Sequence, residues 1–225
     1  MDKQQYKNLI NETTWQWVKN HFDSIENYEP SVLCSLDINP KQWIEFSVEH
    51  FEYAEQNYEF IDNTTDLSKR ISETNVKMGR NEHNSGEINY GKHPESNDKM
   101  ISLLGANNLA KLNVLPQYVL CRLLVKFPGH GVAWHVDTAK SFGKYYPELN
   151  IDQDTHSCQH GQIVRYWFPV TDWCTGHMFQ ISNTVLWKYK QGQVFKIPFG
   201  QGHASSNAGF EPQFSVSLTG ILSES

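Results

Sequence analysis

No block of basic residues occurs in this 225-residue chain, where 19 Lys and Arg face 25 Asp and Glu for a net charge of -6. Gripping a nucleic-acid backbone calls for a basic face, so a nucleic-acid partner is not expected. No apolar stretch is long enough to span a bilayer, and no basic start followed by an apolar run marks a secretion signal. Cysteine is scarce: Cys34, Cys121, Cys158 and Cys174 are widely spaced, with no Cys-x-x-Cys pair. Such residues read as reduced thiols, the expectation for a cytoplasmic protein. The sequons at Asn11 and Asn63 carry no weight without secretion. Gly-x-Gly-x-x-Gly, the Gly-x-x-x-x-Gly-Lys phosphate loop and the Gly-x-Ser-x-Gly elbow are all missing. Dinucleotide oxidoreductases, P-loop NTPases and α/β-hydrolases thereby lose their usual sequence support.

What is present is enough for a packed core: 39% of the chain is hydrophobic, and 13% of the chain is aromatic. Disorder of the whole chain is not expected on that ground, and the length suits a single domain over residues 1–225. Residues 1–116 read as mainly helical with long loops. Tyr6, Leu9, Ile10, Trp17, Val18 and Phe22 follow a helical period over about 2–25. Asn39-Pro40 opens a second helix carrying Trp43, Phe46, Val48 and Phe51. Between them, 31–36 is expected to be a short strand. Residues 62–98 are polar and punctuated like loops. A further helix is expected over 101–112.

From residue 117 the texture changes to short strands with turn signals between them. Strands are expected at 118–127, 132–136, 162–169, 177–181, 185–189, 193–197, 203–207 and 213–222, with a long polar loop at 138–161. Eight strands suit a double-sheet barrel. The last of them alternates cleanly: Gln213, Ser215, Ser217 and Thr219 on one face, Phe214, Val216 and Leu218 on the other. One face therefore meets a core, and in a barrel the polar face lines a pocket. The fold class expected is α+β: a jelly-roll or cupin-like double-stranded β-helix over 117–225 with an N-terminal helical layer.

Within this region the stretch Pro128-Gly129-His130-Gly131-Val132-Ala133-Trp134-His135-Val136-Asp137 stands out. His135 and Asp137 are at i and i+2, which places both side chains on one face of an extended segment. His203, on another short strand, supplies a third ligand. Two imidazoles and one carboxylate on one side of a metal form the facial set of non-haem Fe(II) oxygen activation. Ten histidines make a chance His-x-Asp common, and an ordinary surface pair would read the same on the triplet alone. The strand before it and the histidine strand after it give it weight.

Together with Arg165-Tyr166-Trp167-Phe168-Pro169-Val170 and Tyr189-Lys190-Gln191-Gly192-Gln193-Val194, these pieces resemble the Fe(II)- and 2-oxoglutarate-dependent oxygenases. Within that superfamily the likeness is to the aspartyl/asparaginyl β-hydroxylase and prolyl hydroxylase branch. It covers about 117–222, roughly half the chain. The resemblance implies Fe(II) at His135, Asp137 and His203, with O2 and 2-oxoglutarate as cosubstrates and Trp134 and Trp167 as apolar surroundings. It also implies a basic residue on the last strand for the distal carboxylate. Here that slot holds Gln213, with Ser215 two positions on, and an amide cannot neutralise a carboxylate as a guanidinium does. Arg165 is the best replacement, with Arg122 and Lys196 behind it.

The resulting expectation is a dioxygenase hydroxylating a C–H bond of a peptidyl or small, amino-acid-like substrate. Succinate and CO2 would be the co-products. The loops 62–98 and 138–161 are candidates for a substrate lid. One rival is a non-oxygenase barrel that binds a metal or small ligand, favoured by Gln213. Another is a helical interaction protein around a relic barrel. His156, Cys158, His160, Cys174 and His177 are thiols and imidazoles suited to zinc, but their spacing is not that of a finger. His130 reads as packing or lid.

Overall fold

The computed structural model describes residues 28–56, 87–91, 93–135 and 137–223, with the side chains of Glu55, Gln56, Ala133 and Trp134 excepted. The helix expected over 2–25, residues 62–86 of the expected lid, Val136 and the Trp134 side chain lie outside that description.

Two antiparallel sheets form the barrel. Strands β4 (Val114–Lys126), β7 (Gly161–Pro169), β10 (Gln193–Lys196) and β12 (Gln213–Leu222) build one wall in the order β10-β7-β12-β4. Strands β5 (Gly131–His135), β8 (His177–Ile181), β9 (Thr184–Leu186) and β11 (His203–Asn207) build the other in the order β5-β11-β8-β9. Successive strands of the barrel alternate between the sheets except for the β8–β9 hairpin, which lies within the smaller one, and this is a double-stranded β-helix. All eight expected strands are there. The larger sheet is extended by β1 (Val32–Ser35) beside β10, and by β3 (Ile88–Asn89) and β2 (Glu55–Gln56) beyond β4.

The side-chain alternation of this wall decides everything that follows. Val119, Cys121, Leu123 and Val125 of β4, Val164, Tyr166 and Phe168 of β7, and Val216 and Leu218 of β12 point outward. They bury themselves against Trp43 and Phe46 of helix α1 (Pro40–Glu49) and Met100, Leu104, Leu109 and Leu112 of helix α2 (Pro94–Leu112). The opposite face, carrying Arg122, Lys126, Arg165, Ser217 and Thr219, turns into the barrel. The polar face of the last strand thus lines a cavity.

Both helices begin where local chemistry puts them. Asn39 accepts a hydrogen bond from Lys41 N at 3.2 Å, and Pro40 supplies a fixed φ at the first position. Helix α2 starts at Pro94, earlier than expected, and is broken at Gly105, whose φ of 74° suits glycine. Asn108 repairs the break by donating to Leu104 O and Asp37 O, both at 2.8 Å, while accepting from Asp37 N.

The loop expected at 138–161 is a correction. It contains helix α3 (Lys140–Tyr145), a 3-10 turn (Pro147–Leu149) and β6 (Ser157–Cys158). Phe142, Tyr146 and Leu149 recur at helical spacing among polar neighbours, and they pack with Leu120, Ile163 and Ile221 at one end of the barrel. Among the described residues no helix is long and apolar enough to cross a membrane.

Strand β4 has an open edge, because β3 covers only Leu124 and Val125. Asn97 closes it further back, donating to Val119 O at 3.0 Å and accepting from Cys121 N at 2.7 Å. All three residues are buried. Replacing Asn97 with Leu strands the Cys121 N–H in the core, while Val119 O keeps the Tyr146 hydroxyl at 2.8 Å, a cost of about 1–3 kcal/mol. Denaturant unfolding of the variant should show that loss with an unchanged m-value; a loss within experimental error would mean the edge is satisfied by other means.

Candidate metal centre

Strand register assembles the site. His135, the last residue of β5, is the Cα partner of His203, the first residue of β11. Their rings therefore stand 4.2 Å apart by centroid. Asp137 follows two residues on, its backbone carbonyl accepting from Gly200 N at 3.2 Å. His203 Nε2 lies 3.1 Å and His135 Nε2 3.8 Å from Asp137 Oδ2. One ligand atom from each residue falls within 4.8 Å of the others. No other such cluster of His, Cys, Asp or Glu occurs among the described residues.

The tautomer of His203 is set from behind. A carbonyl can only accept, so the 3.0 Å contact with Gln201 O requires Nδ1 to carry the proton. Nε2 then presents a lone pair, and it accepts from Arg165 Nη2 at 3.3 Å. A lone pair and a carboxylate oxygen at 3.1 Å repel unless a cation stands between or beside them. Arg165 provides such a cation: its guanidinium pairs with Asp137 and also donates through Nε to Ser217 Oγ at 3.3 Å.

These charges tune one another. Burial opposes ionisation of Asp137, but Arg165, His135 and His203 outweigh it and hold the carboxyl well below its usual range. Burial, and after it the charges of His135 and Arg165, pushes His203 down to about 4 despite the pull of Asp137. A neutral imidazole with a fixed Nδ1–H and an ionised carboxylate are the forms that bind metal. The donor set therefore fits a divalent transition metal. Two histidines and one carboxylate suit iron, and they are also within the range of zinc.

The cavity beside the triad is lined by Arg165, Trp167, Phe179, Arg122 and Lys126 among others. Trp167 is buried, stacked on Phe179 at 4.2 Å, with its Nε1 lacking a hydrogen-bond partner. Gln213 and Ser215 are both buried on the same face of β12 but outside the immediate lining. Gln213 donates to Tyr189 Oη at 2.7 Å, and its Oε1 and Ser215 Oγ have no hydrogen-bond partner. Lys196 is exposed on β10, away from the cavity.

Sequence reasoning missed Lys126 and Glu87, whose side chains form a buried 2.6 Å ion pair in the cavity wall. A lysine with the parity of Arg122 inside an otherwise apolar strand was the available signal. Of the zinc alternatives, His156 stacks on Phe199, His160 on Tyr118, and His177 Nε2 donates to Glu211 O. They are not brought together. His130 packs edge-on against Phe127.

No protein-family model matches the sequence, and no curated protein matches it. Solved structures do. A non-heme monooxygenase, ThoJ in complex with nickel, is 14% identical over 85% of this chain and 72% of its own, with a TM-score of 0.37. The non-heme α-ketoglutarate-dependent carbocyclase SnoK of nogalamycin biosynthesis is 10% identical over 60% of this chain and 63% of its own, with a TM-score of 0.36. A protein with a double-stranded β-helix domain from Klebsiella pneumoniae is 20% identical over 48% and 69%, with a TM-score of 0.29. At these values the reading of the site rests on its own side chains.

The depressed His203 carries a pH signature in the metal-free protein. The unfolded chain takes up this proton near 6.5, whereas the folded protein resists until about 4. Stability is therefore full above 6.5 and falls as the pH drops from 6.5 toward 4, by ~3 kcal/mol. Denaturant unfolding of chelator-treated protein across that window should show the slope, and His203→Gln should flatten it. An identical slope in the variant would assign it to another group.

Proposed function

We propose that this protein is an Fe(II)- and 2-oxoglutarate-dependent dioxygenase that hydroxylates a C–H bond of a peptidyl or small, amino-acid-like substrate. The observation that carries the reading is the convergence of His135, Asp137 and His203 on one point inside a cation-lined barrel cavity. Iron held there, with O2 and 2-oxoglutarate, supplies oxidation of an unactivated C–H bond with release of succinate and CO2.

The chain's own residues do the rest. Gln201 fixes the tautomer of His203, and Arg165 holds Asp137 ionised and oriented. Arg165 reaches two of the three ligands, so it meets the end of the cosubstrate nearest the metal. Gln213 and Ser215 lie buried on the adjoining strand just outside the cavity lining, with Gln213 Oε1 and Ser215 Oγ unmet. Trp167 and Phe179 exclude water from the reacting centre.

A second reading has a specific observation behind it. Gln213 is a neutral amide committed to Tyr189, which suits a barrel that binds a metal or a small ligand without oxygen chemistry. Anaerobic titration with Fe(II) and then 2-oxoglutarate separates the two. The oxygenase should develop a weak visible absorption band that needs both additions. Alanine at His135, Asp137 or His203 should remove it and lower turnover by at least about a hundredfold. Arg165→Ala should weaken cosubstrate binding and, by releasing Asp137, lower metal affinity as well. Iron binding with no band at saturating 2-oxoglutarate would favour the second reading.

A further inference from the structure

The metal cavity has two unlike ends. Along β4 its lining runs from Lys126 to Leu120, six residues (126 − 120) and about 20 Å of strand. The charged side chains of that lining are already engaged: Lys126 with Glu87, Arg165 with Asp137, and Arg122 with a partner of its own. A charged substrate group would leave water without a free counterpart among these residues.

The Leu120 end lies beside the triad. Leu120 is the Cα partner of Thr219, and Thr219 is the partner of Arg165, which holds Asp137. Phe142 and Phe199 belong to the same apolar cluster as Leu120 and also line the cavity. Thr138 and Ser141, on the segment leading from Asp137 into α3, line it as well. Both are exposed, so the cavity opens here. What enters by this route meets hydroxyls, alkyl groups and aromatic rings.

Phe199 is held from two sides. His156 stacks on it face to face, with centroids 4.5 Å apart and planes 6° from parallel. His156 is itself anchored, its carbonyl accepting from Ile163 N at 2.9 Å. Its φ of 51° follows a turn in which Asp152 Oδ1 accepts from Asp154 N and Thr155 N. On its other side, Phe199 belongs to the turn that braces the metal ligands. Gly200 N donates to Asp137 O at 3.2 Å, and Gln201 O accepts from His203 Nδ1 at 3.0 Å. The ring therefore keeps a set position relative to the metal.

We propose that Phe199 is a substrate-contacting residue that selects an uncharged apolar group, aromatic or branched aliphatic, for the position beside the metal, and that His156 positions its ring. Calling the occupant a substrate rests on the reading under Proposed function; the selectivity of the opening for apolar groups does not. The substrate class narrows to molecules or peptide segments that present an apolar side group to the metal.

The Mn(II)-loaded protein, without 2-oxoglutarate, tests this through paramagnetic broadening of probe proton signals. The probes are the N-acetyl amides of phenylalanine, leucine, glutamine and lysine, which differ only in the side chain. The phenylalanine and leucine probes should bind about tenfold or more tightly than the other two, with their side-chain protons broadened most. Phe199→Ser should bring the probes within about threefold of one another. His156→Asn, which tolerates the left-handed backbone and removes the ring, should weaken the phenylalanine probe severalfold with Mn(II) affinity unchanged. Because Phe199 lies in the bracing turn, Mn(II) affinity is measured for both variants, and His156→Asn decides if Phe199→Ser loses the metal. Glutamine or lysine probes binding as tightly as the apolar pair, no broadening of any probe, or selectivity unchanged in the variants overturns the proposal. Failure of the iron and 2-oxoglutarate titration, by contrast, removes the oxygenase reading and leaves the probe selectivity to be judged on its own.

Discussion

Charge pairing inside a nearly closed barrel is the constraint on which this structure depends. A lone charge on the inner face of β4, β7 or β12 would sit in a low-dielectric wall at a cost of several kcal/mol. Arg165 is met by Asp137 and Lys126 by Glu87. In each case the cation belongs to the long central wall and the carboxylate comes from a segment beside it. Asp137 lies just past the end of β5, and Glu87 just before β3. Electrostatics thereby draws two peripheral segments onto the cavity.

The opposite face of the same wall makes that arrangement stiff. Its outward side chains are apolar and close-packed under α1 and α2, and the backbone groups left at its edge are met by buried asparagine side chains. Asn97 serves the edge of β4, and Asn108 ties the break in α2 to the segment after β1. A wall satisfied on both faces holds Arg165 and Lys126 at fixed depths. The metal ligands gain the same precision from the other sheet, where the pairing of β5 with β11 sets His135 against His203.

Most of the fold was legible because one rule, alternation at period two, operates through 117–225. It marked eight strands, and it gave the correct parity for Ser217, Thr219 and Arg165. The helix and the turn after it inside 138–161 escaped because the apolar residues of that stretch, Phe142, Tyr146 and Leu149, are diluted by Lys, Gly, Glu and Pro. The early start of α2 escaped because Glu95, Ser96, Asn97 and Asp98 look like loop; their work is hydrogen bonding and not packing.

The sequence by itself determined which residue types face each way along a strand, and hence that His135 and Asp137 share a side and that Gln213 stands on a polar face. Those are local facts, fixed by backbone periodicity. Which strands become neighbours is not local. Only the tertiary structure placed His203 across from His135, Lys126 across from Gln213 and Glu87 against Lys126. Cross-strand register joins residues as far apart as Val32 and Phe195, 163 positions (195 − 32), and no periodicity within one strand encodes its neighbour's offset.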